Sequence, residues 1–376
     1  MKFVRLAIVA FAFYTTDCIA ADTVRVCSYN VLNYSLSNDD GRTPMYAAIM
    51  NEIRPDVLMC TEVVDATMGP RFVTDVLTHA PFAATPFIDG FDTDGQLFYN
   101  QLKFDFIDQQ RISTALRDIA EFTLVTKHND GLPEDTVVFY AMHLKASDGS
   151  QNETARMLEV QRFRASVSAQ PYVVIGGDMN FYSTNESGYQ HFLQPPTGRS
   201  FVDPLGTSWS RNNAQWTHIY TQCTRLSIAS GCGGGVDGGM DDRFDYFFIS
   251  PQLQPRFVSN SYIAYGNDGP ARLNKSINDP PNTIVTAEIA NALHCASDHL
   301  PIYMDIVLGD IQASVEVGSR EAADGNRDAV RGRRQAAEGT TYYDLLGNHI
   351  QVNASQLPPG FYIAVSQDQA KLIIVN

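Results

Sequence analysis

Short apolar runs that stop at a polar residue recur along most of the chain. Residues 24–31 alternate in a way that predicts a strand, and 56–60 predict a second, ending at Thr61 and Glu62. Further strands are expected over 96–99, 121–126, 136–143, 172–176, 244–250 and 300–307, with the 172–176 run ending at Gly177 and Asp178. Helical spacing appears over 44–53, where Met45, Ala48, Ile49 and Ile53 recur on one face before Pro55 forbids continuation. Residues 71–77 and 153–168 also read as helical, the second carrying Met157, Leu158, Val160 and Phe163. Strands mixed with helices, together with neighbouring strand pairs, predict an α/β arrangement of packed sheets.

The ends of the chain have a different texture. Lys2 and Arg5 precede a short apolar run from Leu6 to Tyr14, and Ala20 and Ala21 are small residues suited to cleavage, so 1–21 reads as an export signal peptide. That run is too short to span a bilayer, and no other approaches membrane length. The main domain is expected over 22–309. Residues 310–339 are poor in apolar side chains and mix Arg320, Arg327, Arg331, Arg333 and Arg334 with acids, which predicts a linker of solvated charge. A compact β pattern follows over 340–376. The Gly-rich stretch 231–239 lacks the strand, helix and Lys-Ser/Thr of a nucleotide-binding loop and reads as a mobile surface loop.

The 376 residues are 44% hydrophobic, enough for a large core, and carry a formal net charge of −15. That charge argues against tight, sequence-independent binding of nucleic acid, which depends on clustered Lys and Arg. It leaves room for an enzyme that meets phosphates through a metal ion. Beyond the leader, Cys27, Cys60, Cys223, Cys232 and Cys295 are odd in number, so at least one is free in a monomer. Cys223 and Cys232 bracket a polar loop and are the best disulfide candidates, whereas Cys27, Cys60 and Cys295 read as small core hydrophobes.

Polar residues stand where the predicted strands end: Asn30, Glu62, His143, Asp178, Asn180, Asp245, Asp298 and His299. Strand ends on one sheet edge converge on a common cleft. The residue types suit phosphoryl transfer. An anionic diester repels hydroxide, so its hydrolysis needs a cation on a phosphate oxygen, an aligned water and a proton source. Mg²⁺ takes hard oxygen ligands and keeps several waters, a role open to Glu62 and Asn30. Asp245 paired with His299 can hold a charged or directed imidazole. Asp178 can orient or deprotonate water while Asn180 donates to a phosphoryl oxygen. Arg117 could reach the phosphate or form a surface ion pair. Trp216, Thr217, His218, Asp241 and Asp242 could line the cleft or serve as ordinary loop residues.

Taken in order, Ser28-Tyr29-Asn30, Pro55-Asp56-Val57 to Glu62, His143-Leu144, Gly177-Asp178-Met179-Asn180, Arg243-Phe244-Asp245 and Ser297-Asp298-His299 resemble the endonuclease/exonuclease/phosphatase (deoxyribonuclease I-like) superfamily over about residues 24–307. The resemblance implies a four-layer α/β sandwich, two packed mixed β-sheets flanked by helices, here with a small C-terminal β segment. It implies a Mg²⁺ cofactor, with Mn²⁺ as substitute. It assigns Asn30, Glu62 and Asp298 to the metal site. His143, Asp178, Asn180, Asp245 and His299 take the catalytic roles, His143 donating to the phosphate or leaving oxygen. Leu32 and Val63-Val64 depart from the abasic-site branch, and no long basic insertion is present. The C-terminal residues Tyr343 to Gly347 and Leu357 to Tyr362 resemble a type IX secretion sorting domain, without the usual Pro-Asn-Pro opening.

The expectation is therefore a secreted or cell-surface phosphodiesterase, with nucleic acid as the leading substrate partner and the export machinery engaged through the C-terminal segment. A sphingomyelinase-like enzyme or an inositol-phosphate phosphatase is the alternative, and a non-catalytic surface binding protein is the alternative of another class. Oligomeric state is not legible.

Overall fold

Both faces of the central strands are apolar, and that pattern dictates layers. In the strand β1 (Asp22–Tyr34), Val24 and Val26 enter one buried cluster while Cys27, Tyr29 and Val31 enter another. In β7 (Thr136–His143), Val137 and Phe139 share the first cluster while Val138, Tyr140 and Met142 share the second. Successive side chains point to opposite faces, so such strands are covered on both sides. The computed structural model describes residues 22–309, apart from 128–133, 197, 207 and 229, and in the C-terminal segment 341–343, 349–350, 360–366 and 369–375.

Two sheets pack face to face. One follows the order β10-β11-β1-β2-β4-β3, built with β2 (Val57–Val63), β3 (Phe82–Ala84), β4 (Asp94–Asn100), β10 (Ile263–Ala264) and β11 (Ile302–Leu308). The other follows β5-β6-β7-β8-β9, with β5 (Phe104–Ile112), β6 (Ile119–Thr126), β8 (Tyr172–Asp178) and β9 (Asp245–Ile249). Both are mixed: β1 runs parallel to β2 and β7 parallel to β8, and the remaining pairs are antiparallel. Val26, Met59, Phe122, Phe139, Val174, Phe247 and Met304 fill the space between the sheets.

Helices cover the outer faces. α1 (Thr43–Ile53) lays Tyr46 edge-on against Tyr29, with centroids 5.7 Å apart, and the Tyr46 hydroxyl donates to Ala296 O at the end of α5 (Ala287–Ala296). On the second sheet α3 (Ser150–Ser166) sets Phe163 against Tyr140, and α4 (Ser187–Leu193) stacks Phe192 on Phe248 at 4.4 Å. This is the four-layer α/β sandwich that the resemblance implied, and the packed α/β sheets that the pattern predicted. The expected helix over 71–77 is a short α-turn, α2 (Met68–Arg71), running into a π-turn over Phe72–Val76. No helix among the described residues is long and apolar enough to cross a membrane.

The strand β5 carried no signal because only its ends, Phe104 and Ile112, are buried. It is an edge strand with a largely polar run between, so the period-two apolar stripe is absent. The chain divides into two compact units, Met1–Gly309 and Asp310–Asn376. In the second, the strands β12 (Thr341–Tyr343), β13 (His349–Ile350), β14 (Gly360–Ser366) and β15 (Gln369–Val375) form an antiparallel sheet of order β13-β12-β14-β15. The leader 1–21, the linker 310–339 and the sorting-like positions 344–347 and 357–359 lie outside the described residues.

The expectations for the cysteines are corrected and that for the glycine-rich loop is refined. The disulfide joins Cys232 to Cys295, 63 residues apart, and not to Cys223, which is a buried free thiol. Proximity along the chain misled, because Cys295 lies in the last turn of α5, which the chain brings beside the glycine-rich loop. Cys27 and Cys60 are buried and free, as expected of small core hydrophobes, whereas Cys295, expected among them, is half-buried and disulfide-bonded. The stretch 231–239 is a surface loop, exposed at 231 and 234–238, but a tethered one, since the Val236 N–H donates to Asp298 Oδ2 at 2.9 Å.

Candidate active site

Strand register gathers the polar strand ends. Asn30 pairs with Thr61 across the parallel β1–β2 ladder, which sets Glu62 beside it. His143 pairs with Asp178 across β7–β8, and Asp178 pairs with Asp245 across β8–β9. The antiparallel β1–β11 pair aligns Ser28 with Ile302, so the segment 297–301 meets the same end of the sheet. Each parallel pair delivers its C-terminal residues, and each antiparallel neighbour its N-terminal residues, to a single edge.

Asp178 is the hub. Its Oδ2 accepts from Asn30 Nδ2 at 3.2 Å and lies 3.4 Å from His143 Nε2 and 3.5 Å from His299 Nε2. Its Oδ1 accepts from the Asn180 N–H at 3.1 Å. Asn30 Nδ2 also donates to Glu62 Oε1 at 2.9 Å, and Glu62 Oε2 accepts from the Asn33 N–H at 3.0 Å. Asp245 Oδ2 accepts from His299 Nδ1 at 2.7 Å. Asn180 Nδ2 donates to Leu144 O at 3.3 Å, which leaves its second hydrogen for a ligand. Asp298 stands beside Glu62, whose acidity it weakens, and its charge also helps to raise His299, the next residue. All eight expected residues are thus in one place, with Asp298 at its rim.

The backbone is shaped for this. Glu62 and Asn180 adopt left-handed φ values of 61° and 50°, unusual for a glutamate, which turn their side chains back toward the cleft. Gly177 has φ 143°, and a Cβ there would fall 1.9 Å from Met142 O. Only glycine lets β8 pass that close to β7 immediately before Asp178. Arg243, fully buried, grips Asp203 through two bonds of 2.9 and 3.0 Å and lies 4.1 Å over the Tyr246 ring, which fixes the start of β9. Breaking such a pair typically costs about 3–5 kcal/mol. Ser297 Oγ donates to Asn30 O at 2.7 Å and accepts from the His299 N–H at 3.1 Å, tying the last motif to the first.

Burial and charge set the protonation states. Burial pushes the Asp178 carboxyl up to about 7; His299 opposes the rise, and Asp245 and Glu62 add to it. Burial, with Asp298, raises Glu62 as well. Burial lowers His143 well below the ordinary histidine value, with Arg117 and His299 adding to it, so its imidazole is neutral. Burial alone would lower His299 too, but Asp245 and Asp178 outweigh it and hold the ring as a cation. Gln222, which carried no sequence signal, places its carboxamide 2.6 Å from His299 Nε2. The atom placed there is the amide Nε2, and because an imidazolium donates from both nitrogens, an amide flip that presents Oε1 makes that contact a hydrogen bond.

Four carboxylates, Glu62, Asp178, Asp245 and Asp298, therefore share a buried pocket with one imidazolium. Asp298 Oδ1 and Asp245 Oδ1 are buried with no hydrogen-bond partner among the described residues. This shortage of positive charge and surplus of hard oxygen donors fit a divalent cation. Two overlapping sets could hold it. In the expected set Glu62 and Asp298 offer carboxylate oxygens, while Asn30 turns its Nδ2 to Glu62 and Asp178 and its Oδ1 accepts from the Leu32 N–H at 3.0 Å; in the other, Glu62, His143 and Asp178 have ligand atoms all within 4.8 Å of one another.

At the rim, Arg117 Nε lies 3.0 Å from Asp92 Oδ2, while its buried Nη1 has no hydrogen-bond partner among the described residues. Its charge reaches both His143 and Glu62. Asp242 binds Arg211 at 3.0 Å, and Arg211 lies 4.9 Å over the ring of Tyr182, two residues beyond Asn180. Thr217 is buried in a short 3-10 turn whose carbonyl accepts from Asn267, an ordinary loop role.

No family model and no curated protein matches the sequence. Solved structures do. Truncated TDP2 from Caenorhabditis elegans aligns at 16% identity over 76% of this chain and 98% of its own, with a TM-score of 0.49. D. rerio TDP2 complexed with a single-strand DNA product aligns at 15% identity over 75% of this chain and 98% of its own, with a TM-score of 0.49. An endonuclease/exonuclease/phosphatase family protein from Bacteroides thetaiotaomicron aligns at 16% identity over 77% of this chain and 98% of its own, with a TM-score of 0.46.

Proposed function

We propose that this chain is a divalent-metal-dependent phosphoesterase that hydrolyses phosphodiester bonds, acting first on nucleic acid. The observation that carries the reading is the convergence on Asp178: the Asn30 amide and the His143 and His299 imidazoles meet at its buried Oδ2, and Asp245 holds His299 from the other side of the ring.

Glu62 and Asp298, with Asn30, would hold Mg²⁺ or Mn²⁺, which when bound neutralises charge on the phosphate oxygens. Asp178, poised near neutrality by burial, takes the proton of the attacking water. The second amide hydrogen of Asn180 donates to a phosphoryl oxygen. His143, neutral, donates an N–H to the phosphate and adds no charge of its own. His299 is the charged donor, and Asp245 fixes its ring tautomer and orientation. Arg117 turns its unpartnered Nη1 to the diester.

Nucleic acid is favoured by Arg211 beside the site, a cation that a phosphate could draw from its partners Asp242 and Asp148, uncovering the Tyr182 ring beneath it. One observation favours a lipid phosphodiester instead: Phe91, adjacent to Asp92, is 89% exposed, and Leu226, Ile228 and Val236 are also exposed. Export by the leader, and passage through a type IX apparatus by the C-terminal segment, complete the proposal. Recovery of the processed protein from the medium of expressing cells checks export, and retention inside them contradicts it.

The decisive assay is hydrolysis of bis-p-nitrophenyl phosphate with Mg²⁺ and then with EDTA. Turnover should vanish with the chelator and return with the metal. A folded protein with no metal-dependent turnover would leave the binding-protein alternative. Duplex DNA, RNA, sphingomyelin and inositol phosphates then rank the substrates.

A further inference from the structure

Ser297, Asp298 and His299 follow directly on α5, whose last turn carries Cys295. The disulfide ties Cys295 to Cys232, at the start of the segment 232–239. That segment returns to the site, where the Val236 N–H donates to Asp298 Oδ2 at 2.9 Å. Gly235, at φ 82°, lies so close that a Cβ would stand 2.8 Å from Asp298 Cγ. Buried Arg225 holds the same segment from behind, donating from Nη1 to Cys232 O at 3.0 Å and to Gly234 O at 2.9 Å. One oxygen of Asp298 is thus fixed by the main chain of the loop, while Oδ1 is buried with no partner among the described residues.

We infer that the disulfide-strapped loop 232–239 is the positioning element of the cation site, setting divalent-metal affinity by holding Asp298 through the Val236 amide. The inference rests on the proposed placement of Asp298 at that site. A main-chain donor cannot rotate away as a side chain can, and it leaves only if the loop moves. Gly233, Gly234, Gly235, Gly238 and Gly239 all have positive φ, so the loop has little intrinsic stiffness. The disulfide and Arg225 supply the constraint that the sequence of the loop lacks. Cross-linking both sides of the Asp298 contact restricts the open conformations in which the carboxylate loses its donor. Groups that orient metal ligands in this way typically govern affinity about 10–100-fold.

The test is Mg²⁺ binding to the full chain by isothermal titration calorimetry, with circular dichroism to confirm folding. Val236→Pro deletes the amide hydrogen, whereas Val236→Ala keeps it. The Cys232→Ser/Cys295→Ser pair removes the strap without touching the donor. Val236→Pro and the cysteine pair should each weaken binding about 10–100-fold, with Val236→Ala binding as the wild type does. Wild-type affinity in both weakened variants, alongside lost binding in Asp298→Asn, overturns the inference and leaves the site reading standing. Wild-type affinity in Asp298→Asn overturns that reading, and the inference with it. Should Val236→Pro fail to fold, the cysteine pair decides alone.

Discussion

Two rim residues with unusual surroundings separate the account from a generic acidic cleft. Burial, with Asp241 adding and Arg211 opposing, pushes Asp242 up to about 7. The same carboxyl in an unfolded chain titrates near ~3.9. Between those values the folded protein keeps a proton that the unfolded chain has released. The group's contribution is therefore most favourable below the unfolded value and is lost as pH rises toward the folded one. The melting temperature of Asp242→Asn, relative to wild type, should climb between about pH 4 and pH 8; a difference that stays flat across that range contradicts the assignment. Arg117 is the second case. If its free Nη1 meets the diester, Arg117→Ala should raise KM roughly 10-fold with kcat little changed, the signature of lost uniform binding. An unchanged KM returns it to a mere partner of Asp92.

At the scale of elements, the site is a consequence of ladder register, and Gly177 is its most sensitive joint. Gly177→Ala forces a Cβ into Met142 O, so β8 must part from β7 just where His143 and Asp178 pair. The variant should lose most activity and several degrees of melting temperature; wild-type values for both would show that the close approach is dispensable. The strands that carry the site were legible because both their faces are apolar and each run ends at a polar residue. Asn30, Glu62, His143 and Asp178 announced themselves in that way, and Asp245 by opening the apolar run of β9. Gln222 did not, because it sits in an irregular segment where nothing periodic marks it. The polar edge strand β5 was illegible for want of an apolar stripe. The glycine-rich loop misled for a related reason: glycine reports backbone freedom, and the constraints on this loop come from Arg225, Asp298 and a cysteine 63 residues from its partner.

Across the whole molecule, a net charge of −15 includes a pocket where four carboxylates face one imidazolium and a rim arginine. Such a pocket is costly unless a cation enters it, which links the acidic balance of the chain to the proposed chemistry. The sandwich supplies rigidity by burying both sheets on both faces, so the site residues stand on strand ends that cannot drift independently. The central claim is that these ends form one phosphodiesterase centre with Asp178 as its base. The most direct test is kcat for bis-p-nitrophenyl phosphate in Asp178→Ala, measured at saturating Mg²⁺ on protein shown to be folded. The account predicts a loss of about a thousandfold or more, on the scale of removing a general base together with its positioning contacts; wild-type turnover in that variant would contradict it.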